Sequence, residues 1–160
     1  MKQDDAASSR ENFTAISQEL NRRFGLPALP DLPPSESGLG SLSISFQVGE
    51  IWFDLLHDTE GGDSDDLMDI RAVIGAVPES GADEVLAQLM RWNLEIVRNH
   101  AGTLALDPER NELVYATVGD LKHADADEIA GVMEQCAGFV QACHARFPAL
   151  QMVEENGGAS

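Results

Sequence analysis

Apolar positions along this chain follow two periods, and the switches between them mark the elements. Phe13, Ile16, Leu20 and Phe24 recur at helical spacing, the signature of a helix with one buried stripe. Ser8 and Glu11 fit a capping box at its start: the Ser side chain bonds the third backbone N–H and the Glu reaches back. Residues 1–7 are then expected to be a disordered N-terminus. Gly25 supplies a stop and Pro27 prevents continuation. Residues 26–40 are rich in Pro and Gly, show no period, and read as a connection. Leu42, Ile44, Phe46 and Val48 alternate with Ser43, Ser45 and Gln47, as in a strand with one buried face. Gly49-Glu50 is a tight turn that returns residues 51–56 as a hairpin partner. An acidic loop over residues 57–66 leads to a third strand, 67–77, ended by Pro78-Glu79-Ser80-Gly81.

A second helix is expected from about Asp83 to Arg98. Its apolar residues are Val85, Leu86, Leu89, Met90, Trp92, Leu94, Ile96 and Val97. At about 100° per residue they cover roughly 200°, twice the arc of a single-sided surface helix. One side of such a helix packs on a sheet, and the other needs a second surface. Asn93 lies inside the apolar arc and reads either as a polar registry point at a helix–helix contact or as a peripheral Asn. Strands at 103–107 and 112–118 flank the turn Pro108-Glu109-Arg110-Asn111 and form a hairpin. The last helix, from Asp125 to about Phe147, carries Ile129, Val132, Met133, Cys136, Phe139, Val140, Cys143 and Phe147 on one stripe. Asp125 and Glu128 make a capping-box-like start. Residues 148–160 end in Gly-Gly-Ala-Ser and are expected to be a flexible tail. The pattern predicts one α+β domain over residues 8–147, with element order α-β-β-β-α-β-β-α.

Charge narrows the partners. The 160 residues hold 28 acids and 10 bases, a formal charge of −18. Such excess opposes binding to nucleic acid and to anionic membrane, since both carry phosphate charge. Residues 24–70 hold ten acids and neither Lys nor Arg. No stretch approaches the ~20 apolar residues of a membrane span, and the N-terminus lacks the basic and apolar regions of a signal peptide. Cys136 and Cys143 are seven positions apart on one expected helix. That is roughly 10 Å along the axis, beyond disulfide reach. Both fall on the apolar stripe, which favours reduced, buried thiols. A cytoplasmic protein is the expectation.

No constellation for chemistry emerges. His57, His100, His123 and His144 stand in separate segments without metal-ligand spacing. Asp63-Ser64-Asp65-Asp66 resembles the start of a calcium loop, but the Gly and terminal Glu are misplaced. Gly38-Leu39-Gly40 lacks the third Gly and the strand–helix context of a dinucleotide site. No activated-serine motif occurs. Neither metal, cofactor nor catalytic activity is expected, and binding is the better reading.

The element order, the acidic composition and the hairpin Leu104-Ala-Leu-Asp-Pro-Glu-Arg-Asn-Glu-Leu-Val114 together resemble the class I type III secretion chaperones, the Tir chaperone (CesT-like) family. The likeness covers about Ser8 to Phe147. It implies a twisted antiparallel sheet packed by helices, in a homodimer. It also implies binding of an extended N-terminal segment of a secreted effector, kept partly unfolded for an ATPase-driven export machinery. Phe13, Ile16, Leu20, Ile44 and Phe46 are the effector-binding residues this resemblance suggests. Val85, Leu86, Leu89, Met90, Trp92, Asn93 and Ile96 are the expected dimer interface. Two other readings stand beside it: an acidic immunity or inhibitor protein that blocks a basic toxin, and a small α/β ligand-binding domain with a closed pocket.

Overall fold

The computed structural model describes residues 2–25, 42–57, 66–99, 102–148 and 150, with side chains from Ser9 onward and without that of Asn99. The expected connection at 26–40, the calcium-like run at 63–65, His100 and residues 151–160 lie outside the described residues. The elements are α1 (Lys2–Phe24), β1 (Leu42–Val48), β2 (Ile51–His57), β3 (Leu67–Ala76), α2 (Ala82–Asn99), β4 (Thr103–Asp107), β5 (Glu112–Asp120) and α3 (Ala126–Arg146). Their order is the one the hydrophobic pattern predicts.

The five strands form one antiparallel sheet in the order β1-β2-β3-β5-β4. Alternation decides what each face carries. Phe46, Phe53, Ala72, Tyr115 and Leu104 share a row, and Ile44, Leu55 and Ile70 share the next. These rows face the helices. Ser45, Asp54, Arg71, Ala116 and Thr103 lie in register on the opposite face. The helix-facing residues join Phe13, Ile16 and Leu20 of α1 and Ile129, Met133, Cys136, Val140 and Cys143 of α3 in one core.

Two local devices set the hairpin and the last helix. In the β4–β5 turn the Asp107 carboxylate accepts the backbone N–H groups of Glu109 (3.0 Å) and Arg110 (3.3 Å). Asn111 then takes a left-handed backbone, φ 53°, which Asn tolerates better than most residues. Asp125 caps α3 by accepting the Glu128 N–H at 2.9 Å, as the capping box predicts. Gly119 is the close-approach point of that helix: a Cβ there would meet Ile129 Cδ1 at 2.9 Å.

Three boundaries differ from the sequence expectation. Helix α1 begins at Lys2, so Ser8 lies within it and not at its start. The acids and alanines of residues 4–7 suit the first turns of a helix. His57 is the last residue of β2 and is fully buried. Its Nδ1 lies 3.1 Å from the Leu67 carbonyl oxygen, and its ring stacks on Phe13 with centroids 5.7 Å apart. At the other end Leu150, beyond the expected end of the domain, is buried and donates its N–H to the Phe147 carbonyl.

Both cysteines are free and buried in α3. Burial pushes the Cys136 thiol up to about 11 and the Cys143 thiol up to about 12. These are poor nucleophiles at neutral pH, consistent with a packing role.

A polar clamp ties α1 to the body. Ser9 Oγ donates to Asp66 Oδ1 at 2.6 Å, Lys122 Nζ lies 2.9 Å from Asp66 Oδ2, and Asn12 Nδ2 donates to the Leu121 carbonyl. The Ser9 hydroxyl first, then the Lys122 ammonium, hold the Asp66 carboxyl below its ordinary value of 3.8. The folded chain thus binds this proton more weakly than the unfolded chain. The clamp contributes stability above the unfolded value and loses it as pH falls through the lower folded value. Asp66→Asn should lower stability at pH 7 by on the order of 1 kcal/mol or less, since the pair is partly solvated. It should also flatten the acid side of a curve of thermal midpoint against pH. An unchanged acid slope would assign that slope to other carboxylates.

Candidate binding surfaces

Phe13, Ile16 and Leu20 of α1 and Ile44 and Phe46 of β1, the residues suggested for effector binding, come together in space. They are the packing between helix and sheet, and none is more than 7% exposed. The same stripe that makes them candidates makes them core: α1 has one apolar side, and the sheet occupies it. The small polar residues on the other face of β1, Ser43, Ser45 and Gln47, are exposed as the alternation predicts.

The candidate interface residues of α2 divide by angle. Leu89 and Ile96 are buried in the chain's own core, and Val85, Leu86 and Trp92 pack partly against it. Trp92 stacks on Phe139 with centroids 5.0 Å apart, Phe139 stacks on Tyr115 at 4.4 Å, and the Arg146 guanidinium lies 4.9 Å above Trp92. Asn93 turns to β4 and binds its backbone. Of the seven, Met90 stays open, at 71% exposure, and it shares its face with Leu94 and Val97, each 58% exposed. Positions 90, 94 and 97 follow i, i+4, i+7, one stripe of a helix. The broad arc therefore has an inner half, already satisfied, and an outer half that is not. Leu94 and Val97 were legible as apolar, but their exposure was not.

A third surface lies on the open face of the sheet, across β3, β5 and β4. A hollow of about 380 Å³ is lined by Ala105, Leu106, Val114, Ala116 and Val118, with Asp69, Arg71 and Asp107 among its polar residues. Val118 is exposed on this face, whereas exposed Leu106, paired with Leu113, borders the hollow from the helix-facing side of β4. The sequence carries a trace of this surface. β5 is apolar on both faces, with Leu113 and Tyr115 toward the helices and Val114, Ala116 and Val118 away from them.

Charges rim that face. Asp54 is buried, accepts a hydrogen bond from Ser45 Oγ, and meets Arg110 Nη1 at 3.2 Å. Desolvation raises the Glu112 carboxyl; Arg110 opposes the rise, and the Asp107 and Asp54 charges add to it. Arg71 pairs at 3.4 Å with Asp69 on its own strand. Among the described residues no group of three or more His, Cys, Asp or Glu side chains is placed to hold a metal ion. His144 Nε2 lies 2.5 Å from the Ile74 carbonyl, and His123 Nδ1 lies 2.8 Å from Asp120 Oδ2. Among the described residues no helix is long and apolar enough to cross a membrane.

The arrangement is that of a small α+β binding domain: helices seated on one face of a sheet, apolar surface left open on α2 and on the other face. The profile of the Tir chaperone protein (CesT) family matches residues 16–142, and the chain belongs to that family. Its fold is similar to one in the crystal structure of the ExsC-ExsE complex, with a TM-score of 0.58 and 17% identity over 84% of this chain and 91% of that one. It is also similar to one in the structure of the HopA1-SchA chaperone-effector complex, with a TM-score of 0.57 and 10% identity over 84% of this chain and 94% of that one. No curated protein sequence matches the chain.

Burial sets the expected outcome for the five α1 and β1 residues. Ile16→Ala, Leu20→Ala and Phe46→Ala should each destabilise the fold by about 2–5 kcal/mol, as large-to-small changes in a filled core do. Chemical denaturation checks this. A variant with an unchanged midpoint would mark its residue as available for a partner.

Proposed function

We propose that this protein is a type III secretion chaperone that binds the N-terminal segment of one or more effectors and keeps it partly unfolded and competent for export. Family membership over residues 16–142 carries this reading. The fold shared with a chaperone-effector complex, HopA1-SchA, agrees with it. The chain acts in the cytoplasm, without cofactor or catalysis, and delivers its cargo to an export machinery driven by an ATPase. Its acidic exterior, at a formal charge of −18, keeps a domain with open apolar surface in solution.

In this reading the bound segment runs along the α1–β1 side of the fold. Phe13, Ile16, Leu20, Ile44 and Phe46 then serve as the packed floor beneath it. A strand of the segment extends the sheet by backbone pairing, and apolar side chains supply the remaining contact. The experiment is capture on the tagged protein in its native cells, followed by truncation of each captured protein. Loss of capture on removal of a secreted protein's N-terminal segment supports the chaperone. Capture of a basic toxin, abolished by raised salt, would instead support an acidic inhibitor, which the charge favours.

The protein acts as a homodimer, and the Met90, Leu94 and Val97 stripe of α2 supports this. Three exposed apolar residues on one helical face lose water-contacting area on association, worth on the order of 25 cal/mol per Å² before ordering costs. Leu94→Arg should shift the protein from about twice its 17.3 kDa chain mass to about one chain mass by light scattering, with its helical circular dichroism retained. A wild-type chain that is monomeric at micromolar concentration would end the dimer reading.

A further inference from the structure

The sheet has two edges, β1 and β4, and an edge strand offers unpaired N–H and C=O groups to any passing strand. The β4 edge is treated in a particular way. Asn93 Oδ1 accepts the Leu104 backbone N–H at 2.8 Å, and Asn93 Nδ2 reaches the Leu104 carbonyl at 3.4 Å. Thr103 Oγ1 donates to the same Oδ1 at 3.0 Å. The Leu104 N–H requires an oxygen opposite it, which sets the orientation of the Asn amide.

In an antiparallel ladder, alternate residues aim both backbone groups at the neighbour strand and the rest aim them outward. Leu104 sits opposite Tyr115 of β5, yet its N–H goes to Asn93. It is therefore an outward residue, and Asn93 occupies the place a sixth strand would take. The side-chain amide has the same donor and acceptor as a peptide group, so it imitates one residue of that strand. Gly102 immediately precedes β4. The Tyr115 ring end lies so close to it that a Cβ on Gly102 would meet Tyr115 Cζ and Oη at 2.3 Å. The outward position Leu104, the second residue of β4, is thus closed by a side chain.

We infer that Asn93 is an edge guard: it closes β4 to strand addition and so directs backbone pairing by a bound segment to the β1 edge. This rests on the reading that the segment extends the sheet. The residue was a candidate for contact with a second copy; the geometry assigns its amide to its own strand.

The test uses the protein alone. In Asn93→Ala the Leu104 amide should exchange with solvent at least ~10-fold faster than in the wild type, since its acceptor is gone. The variant should also form concentration-dependent species larger than the wild-type assembly, through β4 pairing with β4. Adding Leu106→Pro removes the N–H of the next outward position without breaking the β4–β5 ladder, because proline is tolerated on the outward side of an edge strand. The double variant should return to the wild-type size. If the alanine variant does not fold, Asn93→Leu keeps the side-chain volume, loses both the acceptor and the donor, and should show the same enlargement. Wild-type size despite fast Leu104 exchange would overturn the inference. So would enlargement that Leu106→Pro leaves in place, because that is association through a loosened α2. No effector is present in this assay, so a negative result leaves the chaperone reading intact, and failed effector capture leaves the edge result intact.

Discussion

The seat of α3 on the central strands β3 and β5 positions everything else. Ile129 approaches Gly119 closely enough that no side chain fits between them. His144 reaches the Ile74 carbonyl near the far end of β3, so the helix is held at both ends of its run. From this seat, Phe139 stacks on Tyr115 and on Trp92, and α2 is drawn to the same side of the sheet. At the opposite flank, Asn12 binds Leu121 and Ser9 binds Asp66, which ties α1 to the turn that launches α3. All three described helices are thereby spent on one face.

That allocation leaves the other face without a helix among the described residues, although Val114 and Asp54 on it are buried. An interior strand that is apolar on both sides normally has both sides buried. Here β5 presents half-buried Ala116 and exposed Val118, with Val114 buried beside them, to a hollow that no described helix of the chain fills. The outer stripe of α2 is open for a related reason: its inner residues, Leu89 and Ile96, satisfy the core, and a helix cannot turn two sides to one sheet. The open apolar area follows from a broad stripe meeting a single layer of strands.

Polar groups decide how that surface is bounded. Asp54, held by Ser45 and Arg110, and the raised Glu112 carboxyl place charge around an aliphatic centre. Asn93 does the same for the backbone, meeting groups that would otherwise stay available at the β4 edge. These contacts are weak as stability terms, because most are partly solvated. Their effect is on which surfaces and edges can be approached.

Most of the fold was legible in the sequence because it depends on short-range pattern. Alternation in Leu42–Val48, the Pro-Glu-Arg-Asn turn and the Asp125 cap each act within a few residues. Together they determine the order of elements and which residues are apolar. The start of α1 was misread because a good capping box at Ser8 hid helix-favouring residues before it. The candidate site was less legible, for one physical reason. Hydrophobicity says that a side chain avoids water, and not which surface removes it from water. Phe13 and Leu94 look alike along the chain; the first is covered by the sheet and the second is left exposed among the described residues. The partner of Asn93, eleven residues on, is likewise set by how α2 lies against β4. The sequence by itself determined the elements, their buried stripes and the absence of reactive spacing. Only the tertiary structure decided which half of each stripe is left over, because that depends on how many apolar faces one sheet can cover.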